Sequence, residues 1–346
     1  MRPATSQAQP MASGDASTAG RPLLEVRDLR TEYRSPSGIV RAVDGVSFTI
    51  DPGEVLAVVG ESGCGKTATA LSILGLIPRH AGQVVGGQVL FEGEDLLSVR
   101  AERLRQIRGD RIAMIFQEPT LDPVRRIGDQ ISEVLRAHRA LSHHDAWNQA
   151  VEFLGLVGIP RAAERARDYP HQFSGGMRQR ALIAMAVALR PDLLIADEPT
   201  TALDVTIQAQ ILELLLEVRR SLGMAVLLIT HDLGIVAGFA ERVMVMYGGR
   251  KVEEAPVRSL YRQPKHPYTW GLLGCTTRLD GNRRDRLPQI TGAPPSLISP
   301  PTGCRFAPRC PHAQELCRAS YPALLQVGDR HRAACHFAEG EEWGSS

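Results

Sequence analysis

No apolar run in the 346-residue chain approaches the ~20 residues that a bilayer span requires; the longest, such as Ala181 to Leu189, reach about half of that. The polypeptide is therefore not expected to cross a membrane by itself. An excess of one charge is missing too: 40 Lys and Arg stand against 38 Asp and Glu, a net +2. That balance offers neither a general nucleic-acid surface nor an acidic tail, so no nucleic-acid partner is expected. The N-terminus lacks the apolar stretch of a secretory signal, and residues 1–22, rich in Ser, Ala, Thr, Gln and Gly, read as a disordered leader. A cytoplasmic location follows by default, and disulfides are not expected in a reducing cytoplasm. What is present suffices for a proper core, with 43% hydrophobic residues, and the length suggests two domains or one large α/β domain with an extension.

The stretch that organises the rest is Gly60-Glu61-Ser62-Gly63-Cys64-Gly65-Lys66-Thr67, between an apolar strand pattern, Val55 to Val59, and a helical one, Ala68 to Ile77. Gly60, Gly63 and Gly65 can take backbone angles that a side chain forbids, so successive N–H groups turn inward to meet phosphate oxygens at the positive end of the helix. Ser62, Cys64 and Ala68 complete that cradle. Lys66 would reach the β- and γ-phosphates and the Thr67 hydroxyl would hold Mg²⁺. Strand, loop and helix in that order mark a nucleoside triphosphate site.

Upstream, Leu23 to Leu29 and Val40 to Ile50 read as strands, with Tyr33 in an intervening loop that carries Pro36 and Gly38. There its ring could stack on an adenine, the alternative being a surface tyrosine. Downstream, the strand Ile112 to Phe116 ends at Gln117, on the ligand edge of an α/β sheet, where an amide can touch Mg²⁺ or the attacking water. Helical periodicity from Ile127 to Leu156 predicts a helical insert. Ser174 is placed to cap the helix Ala181 to Leu189, and Gly175 and Gly176 expose N–H groups there, a second anion site. Leu193 to Glu198 is a buried strand ending in two acids: Asp197 suits Mg²⁺, and Glu198 suits the general base for the attacking water. Thr201 to Asp204 turns into the helix Ile207 to Arg220, and His231 follows the strand Ala225 to Thr230 as a γ-phosphate contact.

This ordered set, over residues 23–255, resembles the nucleotide-binding subunit of ABC transporters: Walker A (Gly60 to Thr67), Q-loop (Gln117), signature loop (Phe173 to Met177), Walker B (Leu193 to Asp197, with Glu198), D-loop (Thr201 to Asp204) and H-loop (His231). The resemblance implies a P-loop NTPase (RecA-like) α/β core with a helical subdomain at about residues 120–190. It also implies a head-to-tail ATPase dimer in which Ser174, Gly175, Gly176 and Asp204 of one subunit cover ATP held by the other. Glu198, His231 and Gln117 being present, ATP hydrolysis with Mg²⁺ on Thr67, Gln117 and Asp197 is implied. Cys64, in a variable position, and Met177, where glutamine often stands, depart from the commonest pattern without removing a needed group.

Residues 256–346, with Gln263-Pro264-Lys265-His266-Pro267-Tyr268-Thr269 and a Pro-rich stretch at 292–301, resemble the tail of oligopeptide and dipeptide importer ATPases. Cys304, Cys310, Cys317 and Cys335 fall there at C-x5-C-x6-C-x17-C, loose for zinc. Four thiolates without a close histidine pair suit a [4Fe-4S] cluster, as family members with this tail bind; zinc and free thiols are the alternatives. Cys64 and Cys275 lie outside the set. By resemblance, the chain powers import of short peptides. Its partners would be a second ATPase subunit, of different or identical sequence, two permeases and an extracytoplasmic binding protein, on the cytoplasmic face of the membrane. An importer of nickel or another small solute, or a soluble ABC ATPase of repair or translation, are the alternatives; the second usually carries two cassettes or long coiled coils, and neither is visible.

Overall fold

The computed structural model describes residues 20–118, 121–201, 203–275 and 290–339. Most of the leader therefore lies outside the described residues, as do Pro119 after Gln117 and Ala202 within the 201–204 turn. Among the described residues twelve strands form two sheets: β1 (Leu24–Ser35), β2 (Gly38–Ile50), β3 (Val55–Val59), β4 (Gly82–Phe91), β5 (Glu94–Asp95), β6 (Ile112–Ile115), β7 (Leu193–Asp197), β8 (Ala225–Thr230), β9 (Arg242–Tyr247), β10 (Arg250–Pro256), β11 (Leu325–Gly328) and β12 (His331–Ala333). The smaller sheet is antiparallel, in the order β2-β1-β4-β5; the larger runs β11-β12-β10-β9-β3-β8-β7-β6.

The centre of the larger sheet is parallel, β9, β3, β8, β7 and β6 running side by side. Every residue of β3, β7 and β8 is buried. Near-continuous apolar runs are what such strands require, since helices or a second sheet cover both faces. Because the strands are parallel, their carboxyl ends, at Val59, Ile115, Asp197 and Thr230, share one edge, and loops leaving that edge can meet. The chain then reverses: β10 pairs antiparallel with β9, and β12 and β11 of the extension continue the sheet beyond it. The C-terminal segment is thus part of the main sheet.

The helical insert is two helices, Ile127–His138 and His143–Leu156, divided at Arg139–Ser142. Ile127, Ile131 and Leu135, four residues apart and fully buried, form the inner stripe of the first. Ser142 caps the second by accepting the amide hydrogen of Asp145. These helices pack on Ala181, Ile183 and Ala184 of the helix Gly175–Val187 in one continuous core.

Three sequence expectations change. Tyr33 lies in strand β1, opposite Val40 of β2, because the connection between the strands is only Pro36 and Ser37. Its ring is partly buried against Gly82 of β4, and burial raises its phenol above the ordinary range. The helix after the phosphate loop is Lys66–Ile73, stopping short of Gly75, whose φ of 60° favours glycine. The helix expected from Ala181 begins at Gly175, so both glycines are its first residues. A Cβ at Gly176 would stand 2.9 Å from the Ile207 side chain, so the close packing of the helix Val205–Leu222 explains the glycine.

Candidate active site

The phosphate loop leaves β3 at Gly60 and enters the helix Lys66–Ile73. Two glycines are dictated by close approach. A Cβ at Gly60 would stand 2.3 Å from the Met246 carbonyl oxygen, and one at Gly65 2.2 Å from that of Ala42; both have positive φ, 155° and 105°. The strands β9 and β2 thus press the loop against the sheet edge. Ser62, Gly63 and Thr67 are exposed on the loop's open side, while Cys64 and Ala68 are buried beneath it. Lys66 Nζ donates to the carbonyl oxygens of Gly60 at 2.7 Å and Glu61 at 3.1 Å, so its ammonium arches over the loop. Burial raises the Cys64 thiol, which is packing rather than chemistry.

Glu198 follows β7 in the left-handed region, at φ 47°. Its carboxylate is held from three sides. Thr201 Oγ1 donates to Oε2 at 2.9 Å, Gln117 Nε2 donates to the same oxygen at 3.3 Å, and His231 Nδ1 lies 3.2 Å from Oε1. Three loops from three strand ends, β6, β7 and β8, therefore converge on one carboxylate, as the parallel sheet edge allows. The adjacent Asp197 is almost fully buried. Burial raises its carboxyl above the ordinary range, while a hydrogen bond from Thr67 opposes the shift. Among the described residues Asp197 Oδ1 has no hydrogen-bond partner. A buried, unsatisfied carboxylate oxygen beside a threonine hydroxyl that ends the phosphate loop fits a hard divalent cation bound through oxygen ligands.

Ser174 caps its helix by accepting the amide hydrogen of Met177, and Asp204 caps Val205–Leu222 by accepting that of Ile207. Asp204 stands only three residues beyond Thr201, and Ser174 lies on another loop; Ser174, Asp204 and Val205 are exposed. The structure thus brings together Thr67, Gln117, Asp197, Glu198 and His231, with Lys66 on the same loop, whereas Gly175 and Gly176, next to Ser174, face Leu203 and Ile207 on either side of Asp204. Thr201, named only as part of a turn, proves a direct ligand of Glu198. Its position three residues on was a usable signal.

The four cysteines of the extension line one small cavity, with His266, His312 and His336 also in its wall. No disulfide joins them. Burial pushes the Cys335 thiol up to about 12, and Cys304, Cys310 and Cys317 add repulsion from the same cavity. Among the described residues no group of three or more His, Cys, Asp or Glu is arranged to hold a single metal ion. The extension docks through an aromatic cluster: Tyr247 of β9 packs on Tyr268 with ring centroids 4.5 Å apart and on Phe306, edge to face, at 5.3 Å. Arg305, beside Cys304, is buried against Asp44 of β2 and the Gly248 carbonyl oxygen. Burial alone would raise the Asp44 carboxyl, but Arg250 and Arg305 hold it below its ordinary range.

No helix among the described residues is long and apolar enough to cross a membrane. Residues 43–201 match the ABC transporter family, and residues 252–317 match the oligopeptide/dipeptide transporter C-terminal region. A probable peptide ABC transporter ATP-binding protein of Sinorhizobium fredii is 51% identical over 315 residues, 90% of this chain and 94% of that one. A dipeptide transport ATP-binding protein of Bacillus subtilis is 50% identical over 315 residues, with the same shares covered. Among solved structures, a dimeric ATP-binding cassette in a post-hydrolysis state with ADP and Pi aligns with a TM-score of 0.61 at 27% identity, covering 68% of this chain and 99% of that one. A phosphate loop, a carboxylate clasped at the sheet edge and this tail on one chain have a single common explanation: the protein is an ATPase and belongs to the ATP-binding subunits of the oligopeptide/dipeptide ABC transporter family.

Proposed function

We propose that this chain hydrolyses ATP at the Lys66–Glu198 site to drive uptake of di- and oligopeptides through a membrane transporter. The observation that carries the chemistry is the convergence of Gln117, Thr201 and His231 on the Glu198 carboxylate, next to Asp197 and the phosphate loop. Lys66 leaves the loop carbonyls for the β- and γ-phosphates, a charge-assisted exchange, and the loop N–H groups of Gly60 to Ala68 receive the remaining oxygens. Thr67, Asp197 and Gln117 would hold Mg²⁺, which when bound neutralises charge developing on the phosphates. Glu198 orients the attacking water and takes its proton, while His231 faces the γ-phosphate. Tyr33 would stack on the adenine.

One carboxylate site is half of the apparatus. Ser174 and Asp204 are exposed N-caps of two helices, Gly175–Val187 and Val205–Leu222, and with Gly175 and Gly176 they stand at helix starts that favour anions. In a head-to-tail dimer, with the same or a related subunit, they cover ATP held by the partner. Two membrane-spanning permeases would dock on the helical insert and the Gln117 loop at the cytoplasmic face, with an extracytoplasmic binding protein choosing the cargo.

The extension would carry a [4Fe-4S] cluster on Cys304, Cys310, Cys317 and Cys335. Support comes from four thiols that line one cavity, soft donors of the kind iron–sulfur clusters take, with His266, His312 and His336 as further side chains in its wall. When bound, the cluster supplies an iron–thiolate crosslink for a segment with little core of its own. The test of the transport reading is uptake in cells lacking this subunit, with labelled di- and oligopeptides compared against nickel. Loss for peptides alone is expected; loss for nickel alone would replace the cargo class, and no loss of either would overturn the transport assignment.

A further inference from the structure

The extension reaches the nucleotide site directly. Arg309 places its guanidinium against Glu61, the second residue of the phosphate loop, in a two-pronged ion pair: Nη1 to Oε2 at 2.7 Å and Nη2 to Oε1 at 2.9 Å. The Arg309 side chain is 5% exposed. Its remaining donors are also committed, Nη2 to the Ile290 carbonyl oxygen at 3.0 Å, Nε to that of Thr291 at 3.0 Å, and Nη1 to the Tyr247 hydroxyl at 3.3 Å. The Glu61 amide donates to the Tyr268 hydroxyl at 2.8 Å. Its carbonyl oxygen meanwhile accepts from Lys66 Nζ at 3.1 Å. One loop residue is thus gripped at its amide and carboxylate by the extension and at its carbonyl by the phosphate-binding lysine.

Arg309 also has a defined relation to the cysteine cavity. It ends the short turn Ala307–Arg309, whose backbone bonds run from Ala307 N to the Cys304 carbonyl oxygen at 3.0 Å and from Cys310 N to that of Ala307 at 3.4 Å. The turn is bracketed by two of the four cysteines that line the cavity. A shift of either one moves the Arg309 backbone, and the two-pronged geometry tolerates little displacement.

We propose that Arg309 is a positioning residue for the phosphate loop, and that the Arg309–Glu61 pair conveys the state of the four-cysteine site to the ATP site. A correctly placed guanidinium fixes Glu61, and a fixed Glu61 keeps the loop N–H groups aligned for phosphate. The inference rests on reading this loop as the ATP site and the cysteines as a filled site.

The test is the Kd for Mg·ATP of the full chain, read with a fluorescent ATP analogue, for Glu61→Gln, Arg309→Gln, the double variant, and Cys310→Ser alone and combined with Glu61→Gln. Thermal unfolding reports folding of each. Glu61→Gln keeps shape and acceptor oxygen, so it remains informative if Arg309→Gln folds poorly. We expect each single substitution to weaken ATP about tenfold, a factor typical of coupled sites. The double variant should be no worse than either single one, and the ATP KM should rise more than kcat falls. Cys310→Ser should weaken ATP in the native background and have no further effect with Glu61→Gln. An unchanged Kd for Glu61→Gln, or additive losses, would overturn the positioning role. A Cys310→Ser effect of equal size in both backgrounds would overturn the coupling. Lys66→Ala separates the underlying reading: if it leaves the Kd unchanged the loop is not the ATP site, whereas its expected loss beside an inert Glu61→Gln indicts the pair alone.

Discussion

Replacing Glu198 by glutamine isolates proton transfer from structure better than any other change at this site. The carboxylate has three partners: Thr201 Oγ1 at 2.9 Å and Gln117 Nε2 at 3.3 Å on one oxygen, and His231 Nδ1 at 3.2 Å on the other. An amide can keep all of them. Its oxygen accepts from Thr201 and Gln117, and its NH₂ donates to His231 Nδ1 in the tautomer that carries its proton on Nε2. The left-handed backbone at φ 47° strains Glu and Gln alike, so the change in stability should stay within ~0.5 kcal/mol. What the amide cannot do is accept the water's proton. Positioned general bases contribute about 10²–10⁴ in rate, equivalent to about 2.7–5.5 kcal/mol of barrier. Phosphate release from saturating Mg·ATP should therefore fall about a thousandfold, while ATP affinity and melting temperature hold, and ATP should accumulate on the protein. A hydrolysis rate within tenfold of wild type, at unchanged melting temperature, would refute Glu198 as the base.

Other positions give further measurements. At Gly65 a methyl would meet the Ala42 carbonyl oxygen at 2.2 Å with φ at 105°, so Gly65→Ala should cost about 3 kcal/mol in urea unfolding and weaken ATP binding; a loss under ~1 kcal/mol would contradict the close approach. His266 is fully buried, and burial lowers it from 6.5 to about 3, its Nδ1 accepting the Tyr268 amide hydrogen at 3.1 Å. Below pH 6.5 the unfolded chain binds a proton that the folded chain does not, so stability falls as pH drops from that value toward 3. Between pH 7 and pH 5 this group should remove about 2 kcal/mol, and His266→Asn should flatten that part of the profile; parallel profiles for the two proteins would exclude it. Anaerobically purified protein should carry iron and acid-labile sulfide, reduced sharply in Cys335→Ser, and zinc in place of iron would overturn the cluster reading.

The sequence exposed what is local. Gly60 to Thr67 lie side by side in the chain, and the strand before and the helix after can be recognised from their own apolar patterns, so the phosphate loop needed no tertiary information. The acids after β7 were legible for the same reason, five buried residues ending in Asp197. Tyr33 was misplaced because Pro36 and Gly38 suggested a longer loop, whereas a two-residue connection lets both strands run nearly to the turn. The early start of the helix at Gly175 was hidden by the poor helix propensity of two glycines, which the Ser174 cap and packing on Ile207 override.

What could not be read was the place of the extension. β11 and β12 are four and three residues long, too short for a period-two pattern to register, yet β12 pairs onto β10 and β11 onto β12, extending the central sheet. That pairing, together with the packing of Tyr268 and Phe306 on Tyr247, carries Arg309 across 248 residues of sequence to Glu61. Neither partner announces the contact, since an arginine beside a cysteine and a glutamate at a variable loop position both look like surface residues. The consequence is architectural. A tail that only decorated the ATPase would leave the phosphate loop held by its own backbone and by β2 and β9. Here the loop's second residue is fixed by two side chains from beyond the core, so the extension forms part of the wall that shapes the nucleotide site.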